Sequence, residues 1–456
     1  MNPFLNPVTL ARVAKYYLTD VNRIWTYDWE KLEEYREKQF RRILKLAMKT
    51  PMYREKYKGI DVSKITLQNI DELPILTKAD IRKHFPDGVV PENFDRRKGY
   101  VVSTSGSTGQ PTSIYTDFYT IVRALMGFIR EIREYDISWR KDRMTVIADL
   151  TPGSAEEAYL NQTAIPNLRP FFSMNNMQLL HVGENVEKMI EKIDAFNPKF
   201  IGGYPGVLRA LAVLKKKGYG KNIEPEYIAS SGAVLDDYTR KYIEEAFNTK
   251  VFDVYGSTEG GPIAFECRKG NYHIHYDMVH LEFLDEDMKP VKYGEPGRII
   301  VTKLYGTATP IIRYDGLNDF VIPLANKCNC GINSPLIEKI GGRKADSIVL
   351  PSGQIIPPSS ITGIPAKVME KMGTRKILQF QIIQKSENEV DVLVVIDEDL
   401  RNVGPDVDSI FRELKKKFEE RFNGELNVEI KEVEKIEKPE HLDTPPPVVT
   451  SMVRVG

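Results

Sequence analysis

Ser103-Thr104-Ser105-Gly106-Ser107-Thr108-Gly109-Gln110-Pro111-Thr112 is the stretch on which the reading of this chain turns. A short β-prone run, Tyr100 to Val102 after Gly99, leads into it. Gly106 and Gly109 let the backbone turn where side chains would block it. Ser103, Thr104, Ser105, Ser107 and Thr108 crowd hydroxyls along a loop that carries no anion of its own, which suits a polyphosphate ligand. This is not the Walker loop, because no Gly-Lys-Ser/Thr follows the glycines. Taken alone, a Ser/Thr/Gly run also fits an ordinary solvent loop.

Downstream the chain alternates strand and helix patterns. Residues 144–150, 200–204, 227–231 and 251–255 read as strands, and 185–196, 206–217 and 236–247 as the helices between them. Strands spaced by helices of this length predict βαβ units and a parallel sheet covered on both faces. Upstream, 28–50 carries Leu32, Tyr35, Phe40, Ile43, Leu44 and Leu46 on one side and predicts a helix stopped by Pro51. Thr77 suits a helix N-cap, and 117–135 is helical in pattern. From 279 to 303 the pattern is more purely β.

The C-terminal part differs in kind. Residues 377–384 and 390–396 predict a hairpin, 407–422 an amphipathic helix and 425–433 a further strand. The expected architecture is therefore α/β. A large N-terminal domain of layered βαβ sheets would span residues 1–342, and a small α+β domain residues 343–456. Between them lies Gly341-Gly342-Arg343-Lys344-Ala345-Asp346. The proline-rich tail from Pro439 is expected to pack poorly.

A chain of 456 residues, 41% hydrophobic and 28% charged, has room for two or three globular domains. Lys+Arg and Asp+Glu balance at 64 each, so no global field recruits nucleic acid or an anionic membrane. Affinity for phosphate must come from a local site, and the expected partners are small molecules. No apolar run approaches the roughly 18 residues that span a bilayer. The first 17 residues lack a charged segment followed by an apolar core, which predicts no secretory leader. Three cysteines argue against a disulfide framework and for the cytoplasm. Composition leaves the oligomeric state open, a homodimer included.

Further motifs follow in order. Tyr255-Gly256-Ser257-Thr258-Glu259-Gly260-Gly261 stands at the end of a predicted parallel strand, where open α/β sheets bind ligands. A carboxylate such as Glu259 beside phosphate oxygens is a usual way to hold Mg²⁺. Thr309-Pro310-Ile311-Ile312-Arg313-Tyr314-Asp315-Gly316-Leu317-Asn318-Asp319 offers two carboxylates, either of which suits a vicinal diol. Ser230-Ser231-Gly232-Ala233-Val234, Gly202-Gly203-Tyr204-Pro205 and Gly342-Arg343-Lys344-Ala345-Asp346 complete the set. Separately, Cys267, His273, Cys328 and Cys330 form a Cys₃His set of the type and number that tetrahedral Zn²⁺ takes. His275 competes with His273 for the fourth place, and three buried cysteines with no metal is the plainer alternative.

Together these motifs resemble those of the adenylate-forming enzymes (acyl-CoA ligases, adenylation domains and luciferases), and phenylacetate–CoA ligases in particular. Leu73-Pro74-Ile75-Leu76-Thr77-Lys78-Ala79-Asp80 is similar to a string that precedes the nucleotide loop in those ligases. The resemblance implies that Ser105, Gly106, Ser107, Thr108 and Gly109 cradle the phosphates of ATP. It implies that Tyr255, beside Gly256, stacks on adenine, that Thr258 contacts phosphate, and that Glu259 helps to hold Mg²⁺. Asp319 would take the ribose hydroxyls, with Asp315 as the alternative. Gly232 and Ala233 would line the adenine and acyl pocket, Arg343 would approach the nucleotide, and Asp346 would be the pivot between domains. Relatives often carry a similar Cys…His and Cys-x-Cys-Gly pair.

The implied reaction joins a carboxylic acid to AMP with loss of pyrophosphate, then passes the acyl group to CoA. Two departures stand out. Val234 occupies a position where the family often has Glu. The C-terminal Lys that usually contacts the carboxylate and α-phosphate is missing, with Met452 near its place and Arg454, Lys435 or Lys438 as substitutes. These departures keep two alternatives in view: an adenylyl transferase without a CoA step, and a catalytically silent nucleotide-binding protein.

Overall fold

A computed structural model describes residues 3–104, 112–171, 173–338, 347–356, 358–437 and 448–453. Its frame is a nine-stranded sheet. In chain order the strands are β1 (Met144–Ala148), β2 (Met177–His181), β3 (Phe200–Gly203), β4 (Tyr227–Ser230), β5 (Lys250–Ser257), β6 (Gly261–Glu266), β7 (Tyr272–Ile274), β8 (Pro323–Leu324) and β9 (Leu336–Ile337). Across the sheet they run β8-β9-β7-β6-β5-β4-β3-β1-β2. From β2 to β5 every pairing is parallel, and from β5 to β8 every pairing is antiparallel.

Alternation along the parallel strands divides the core. Ile147, Ile201, Ile228 and Val251 face one layer of helices, formed by Val186–Phe196, Pro205–Lys216 and Asp237–Phe247. Their neighbours Phe200, Ala229 and Phe252 face the other way, against Ile132 and Tyr135 at the end of the Phe118–Glu134 helix. Helix ends are chemically marked. Asn185, Asp236 and Asp117 each cap an N-terminus through the side chain, and Asn197 and Asn248 end helices in the left-handed conformation. Thr77 and Asp80 form a full capping box.

The C-terminal residues build a separate four-stranded sheet. Ile377–Ser386 and Glu389–Ile396 form the expected hairpin, with Asn427–Glu432 added in parallel beside the second strand. Ile410, Leu414, Phe418 and Phe422 close its helical face. This unit meets the large sheet's helices at its first strand. Tyr238 donates its hydroxyl to the Ile377 carbonyl at 2.7 Å, and Arg209 Nε donates to the Leu378 carbonyl at 2.6 Å.

Two sequence expectations need correction. The tail does not all pack poorly, because Val449–Ser451 adds a strand in parallel to Ile377–Ser386. Pro51 not only ends the Trp29–Ala47 helix but opens the next one, Pro51–Lys56, at a position where its missing N–H costs nothing. The antiparallel half of the main sheet had no clear periodic signal, since several of its strands are only two or three residues long. Among the described residues, no helix is long and apolar enough to cross a membrane.

A buried ionic cluster fastens the N-terminal segment to this frame. Asp277 accepts two hydrogen bonds from Arg130, both at 2.9 Å, and one from Arg23 at 2.7 Å. Asp20 joins Arg23 to Arg123. Burial alone would raise the Asp277 carboxyl, but Arg130 and Arg23 outweigh it and hold the group well below the usual carboxylate range. Its contribution to stability is therefore present above that range and fades as pH falls through its folded-state value. Asp277→Asn leaves buried guanidiniums short of a counter-charge and should cost about 3–5 kcal/mol in urea unfolding. Removing the exposed Lys289–Asp287 pair should cost far less. Equal small losses in the two variants would refute the structural weight given to Asp277.

Candidate active site

The parallel strands end at one cavity of about 780 Å³. Asp149 follows β1, Tyr204 follows β3, Gly232 and Ala233 follow β4, and Tyr255 to Glu259 run through the end of β5 and beyond it. The chain lays β2 on one side of β1 and β3 on the other, so the cavity lies outside the strand ends at a reversal of strand order. Such a point is where an open α/β sheet offers a crevice.

Of the residues singled out from sequence, Gly232, Ala233, Tyr255, Gly256, Thr258, Glu259 and Asp319 all line this cavity. Ser103 and Thr104, which enter the hydroxyl-rich loop, line it as well. Ser105, Gly106, Ser107, Thr108 and Gly109 lie outside the described residues, as do Arg343 and Asp346.

Local backbone explains why these side chains converge. At Tyr255 and Gly256 the β5–β6 ladder shifts register, which turns the end of β5 out of regular pairing. Tyr255 then donates its hydroxyl to Asp319 Oδ2 at 2.6 Å, joining the strand end to the distant 309–319 segment. Asp315 is held elsewhere, in an ion pair with Arg298 at 3.2 Å, and does not line the cavity. Geometry therefore favours Asp319 over Asp315. Tyr314 donates its hydroxyl to Glu259 Oε1. A Cβ on Gly316 would sit 2.0 Å from Cζ of the Tyr314 ring, so only glycine there leaves this tyrosine its place. Gly232 is similarly constrained, with φ at +83° and a would-be Cβ 2.4 Å from Cε1 of Tyr204.

Several polar groups of the site escaped the sequence reading. Lys78 and Arg82, four residues apart on the Lys78–His84 helix, bring cations to the cavity wall. The Leu73–Asp80 string contains Lys78, and Arg82 lies two residues beyond it. Lys303 is buried, and burial pushes its ammonium down to about 8 against the pull of Glu259 and Asp117. Glu156 accepts from the Tyr204 hydroxyl at 2.9 Å, and burial pushes its carboxyl up to about 7. Glu131 also lines the cavity and pairs with His275. Of the proposed substitutes for the C-terminal Lys, Lys435 pairs with Glu437 at 3.2 Å, while Lys438 and Arg454 lie outside the described residues. Met452 is exposed.

On the far side of the antiparallel strands, Cys267, His273, Cys328 and Cys330 place their ligand atoms within 4.8 Å of one another. Cys267 and Cys328 sulfurs are 3.8 Å apart, close to the edge of a tetrahedron built on Zn–S bonds of about 2.3 Å. Cys330 Sγ lies 3.2 Å from His273 Nε2, and Ser334 Oγ contacts the other ring nitrogen at 3.2 Å. That hydroxyl fixes the ring so that Nε2 faces the sulfurs. His275 does not compete, because both its nitrogens are engaged by Arg130 and Glu131.

The CapK C-terminal domain family matches residues 349–441. Over 434 residues the chain is 26% identical to protein CapK of Staphylococcus aureus, covering 93% of this chain and 90% of that one. It is also 26% identical over 384 residues to a phenylacetate-coenzyme A ligase of Thermus thermophilus, covering 79% and 80% of the two chains. The fold overlays on 2-hydroxyisobutyryl-CoA ligase in its postadenylation state with a TM-score of 0.77 at 19% identity, over 94% of this chain and 91% of that one. The same ligase in its thioesterification state gives 0.62 at 20% identity, with the same coverage. In sequence, then, the chain is similar to protein CapK and to phenylacetate–CoA ligases, and its fold is that of an acyl-CoA ligase.

Proposed function

We propose that the protein activates a carboxylic acid with ATP to an acyl-adenylate and then transfers the acyl group to CoA. The observation that carries this reading is the convergence of Thr258, Glu259 and the Tyr255–Asp319 pair on one cavity at the strand ends. A carboxylate oxygen of the acid attacks the α-phosphorus of ATP. The bond to the β-phosphate bridging oxygen breaks, and its electron pair leaves with pyrophosphate. The CoA sulfur then attacks the acyl carbon and AMP departs.

The chain's part is positioning and charge neutralisation. Asp319, with Oδ2 fixed by Tyr255, suits the ribose hydroxyls. Thr258 and the Ser103–Thr104 approach offer hydroxyls to phosphate, with Ser105 to Gly109 as the rest of the cradle. Lys78 and Arg82 offer positive charge from the cavity wall, in a site that lacks the usual C-terminal Lys. Glu259, oriented by Tyr314, is the carboxylate suited to Mg²⁺, which would supply neutralisation of the phosphate charge. Arg343 and Asp346 take the nucleotide-facing and pivot roles in this reading, with domains at 1–342 and 343–456. The separate C-terminal sheet, which meets the large sheet's helices at Ile377 and Leu378 among other contacts, supports a unit that rotates.

Zn²⁺ in the Cys267, His273, Cys328 and Cys330 set is a structural element of the proposal. It lies away from the nucleotide residues and ties the 328–330 loop to β6 and β7. Free thiols of this kind suit a reducing compartment such as the cytoplasm.

Glu259→Ala should lower acid-dependent pyrophosphate release by about 100-fold or more while the protein stays folded. Release that needs no carboxylic acid, or that survives the substitution, would overturn the adenylation reading. Adding CoA should convert the accumulated adduct to a thioester; an adduct that persists with CoA present would favour transfer to another acceptor. Metal analysis of protein made in zinc-replete medium should find one zinc per chain, and Cys328→Ser should lose it and lower Tm. Wild-type protein without zinc would sink the metal assignment and leave the adenylation reading intact.

A further inference from the structure

One polar group on the cavity wall has no part in the adenylation chemistry. The Phe118–Glu134 helix turns Ala124, Leu125, Phe128, Glu131 and Ile132 toward the cavity, at spacings that share one helical face. All but Glu131 are apolar. Phe200 and Ala229 at the sheet surface continue the apolar wall. Glu131 is 4% exposed, a carboxyl set into a hydrophobic chamber.

Its orientation is fixed by a chain of hydrogen bonds. Asp277 holds Arg130 at both terminal nitrogens. Arg130 Nη1 lies 3.0 Å from His275 Nδ1, and a guanidinium can only donate, so Nδ1 is the acceptor. The ring hydrogen is therefore on Nε2, which donates to Glu131 Oε1 at 2.9 Å. Among the described residues none hydrogen-bonds Oε2. One oxygen is thus committed to the scaffold and the other is presented to whatever fills the apolar chamber. A carboxyl oxygen on so apolar a wall gains a hydrogen bond when a ligand group meets it.

We propose that Glu131 reads the far end of the acid substrate, selecting an aryl or compact acyl acid that carries a hydroxyl group distal to the carboxylate being activated. This inference rests on the adenylation reading above. The aromatic and aliphatic walls provide for the body of such a molecule. Burial also pushes the Glu131 carboxyl up to about 8, which keeps it neutral near pH 7 and suited to a hydroxyl, a group that both donates and accepts.

The test compares matched acids in the pyrophosphate-release assay: phenylacetate, 4-hydroxyphenylacetate, 4-aminophenylacetate and 4-carboxyphenylacetate, with the benzoates in parallel. Wild-type protein should favour the hydroxylated acid over its unsubstituted partner by on the order of 100-fold in kcat/KM. Glu131→Leu should collapse that ratio toward one, and Glu131→Gln, which keeps the shape and hydrogen-bonding capacity, should retain most of it. Three results would overturn the inference and leave adenylation standing. They are wild-type indifference to the hydroxyl, a ratio unchanged in Glu131→Leu, and a preference for the amino or carboxy partner. Silence with every acid would overturn the adenylation reading and this assignment with it. Because the wild-type ratio alone can refute the inference, the outcome does not depend on either variant folding.

Discussion

The Arg130–Asp277 pair is the contact on which the arrangement of this molecule depends. Neither side chain is exposed to solvent, and two parallel hydrogen bonds hold them in a planar fork. Around the fork, Arg23 binds the same carboxylate, and Asp20 ties Arg23 to Arg123 on the cavity helix. The N-terminal segment, the Phe118–Glu134 helix and the turn after β7 are thereby joined at one point. Charges buried this deeply are tolerable only in company, so loss of any member leaves another stranded. The same fork sets the tautomer of His275 and, through it, the orientation of Glu131. Scaffold and cavity wall share a single anchor.

Placement of the cavity residues at the strand ends follows from a different constraint, the change from parallel to antiparallel pairing at β5. Parallel strands bring their carboxyl ends to one edge, and the register shift at Tyr255 and Gly256 turns the chain out at that edge. Tyr255 can then reach Asp319 and Tyr314 can reach Glu259, two long-range hydrogen bonds that draw the 309–319 segment over the strand ends. Beyond β5 the Cys₃His cluster gathers after β6, on β7 and on the 328–330 loop, and none of its four residues lines the cavity. The cavity and the candidate metal cluster are thus separate in the structure.

Much of this was legible because it is written locally. Caps at Asp117, Asn185 and Asp236, helix faces and short apolar strands appear within windows of ten to twenty residues, and the parallel sheet follows from their alternation. Tyr255, Glu259 and Asp319 were found as contiguous motifs, and the structure brings all three to one cavity. What escaped depends on partners far away in sequence. Glu131 reads as one charge on an ordinary amphipathic helix, and only folding sets it against His275, 144 residues later. Lys303 ends an apolar strand with nothing nearby to predict its burial beside Glu259. The choice between His273 and His275 was open in sequence because both lie near Cys267. The opposite engagement of their rings, one toward sulfur and one toward Arg130 and Glu131, settles it. Strand Val449–Ser451 was hidden by the prolines before it, although its own residues suit a sheet.

The central claim is that a carboxylate oxygen attacks the α-phosphorus of ATP in the cavity bounded by Thr258, Glu259 and Asp319. Following oxygen-18 from a doubly labelled carboxylic acid through one turnover with ATP and CoA tests that bond directly. The account predicts one labelled oxygen in the AMP released and none in pyrophosphate. Unlabelled AMP, or label appearing in inorganic phosphate, would contradict it.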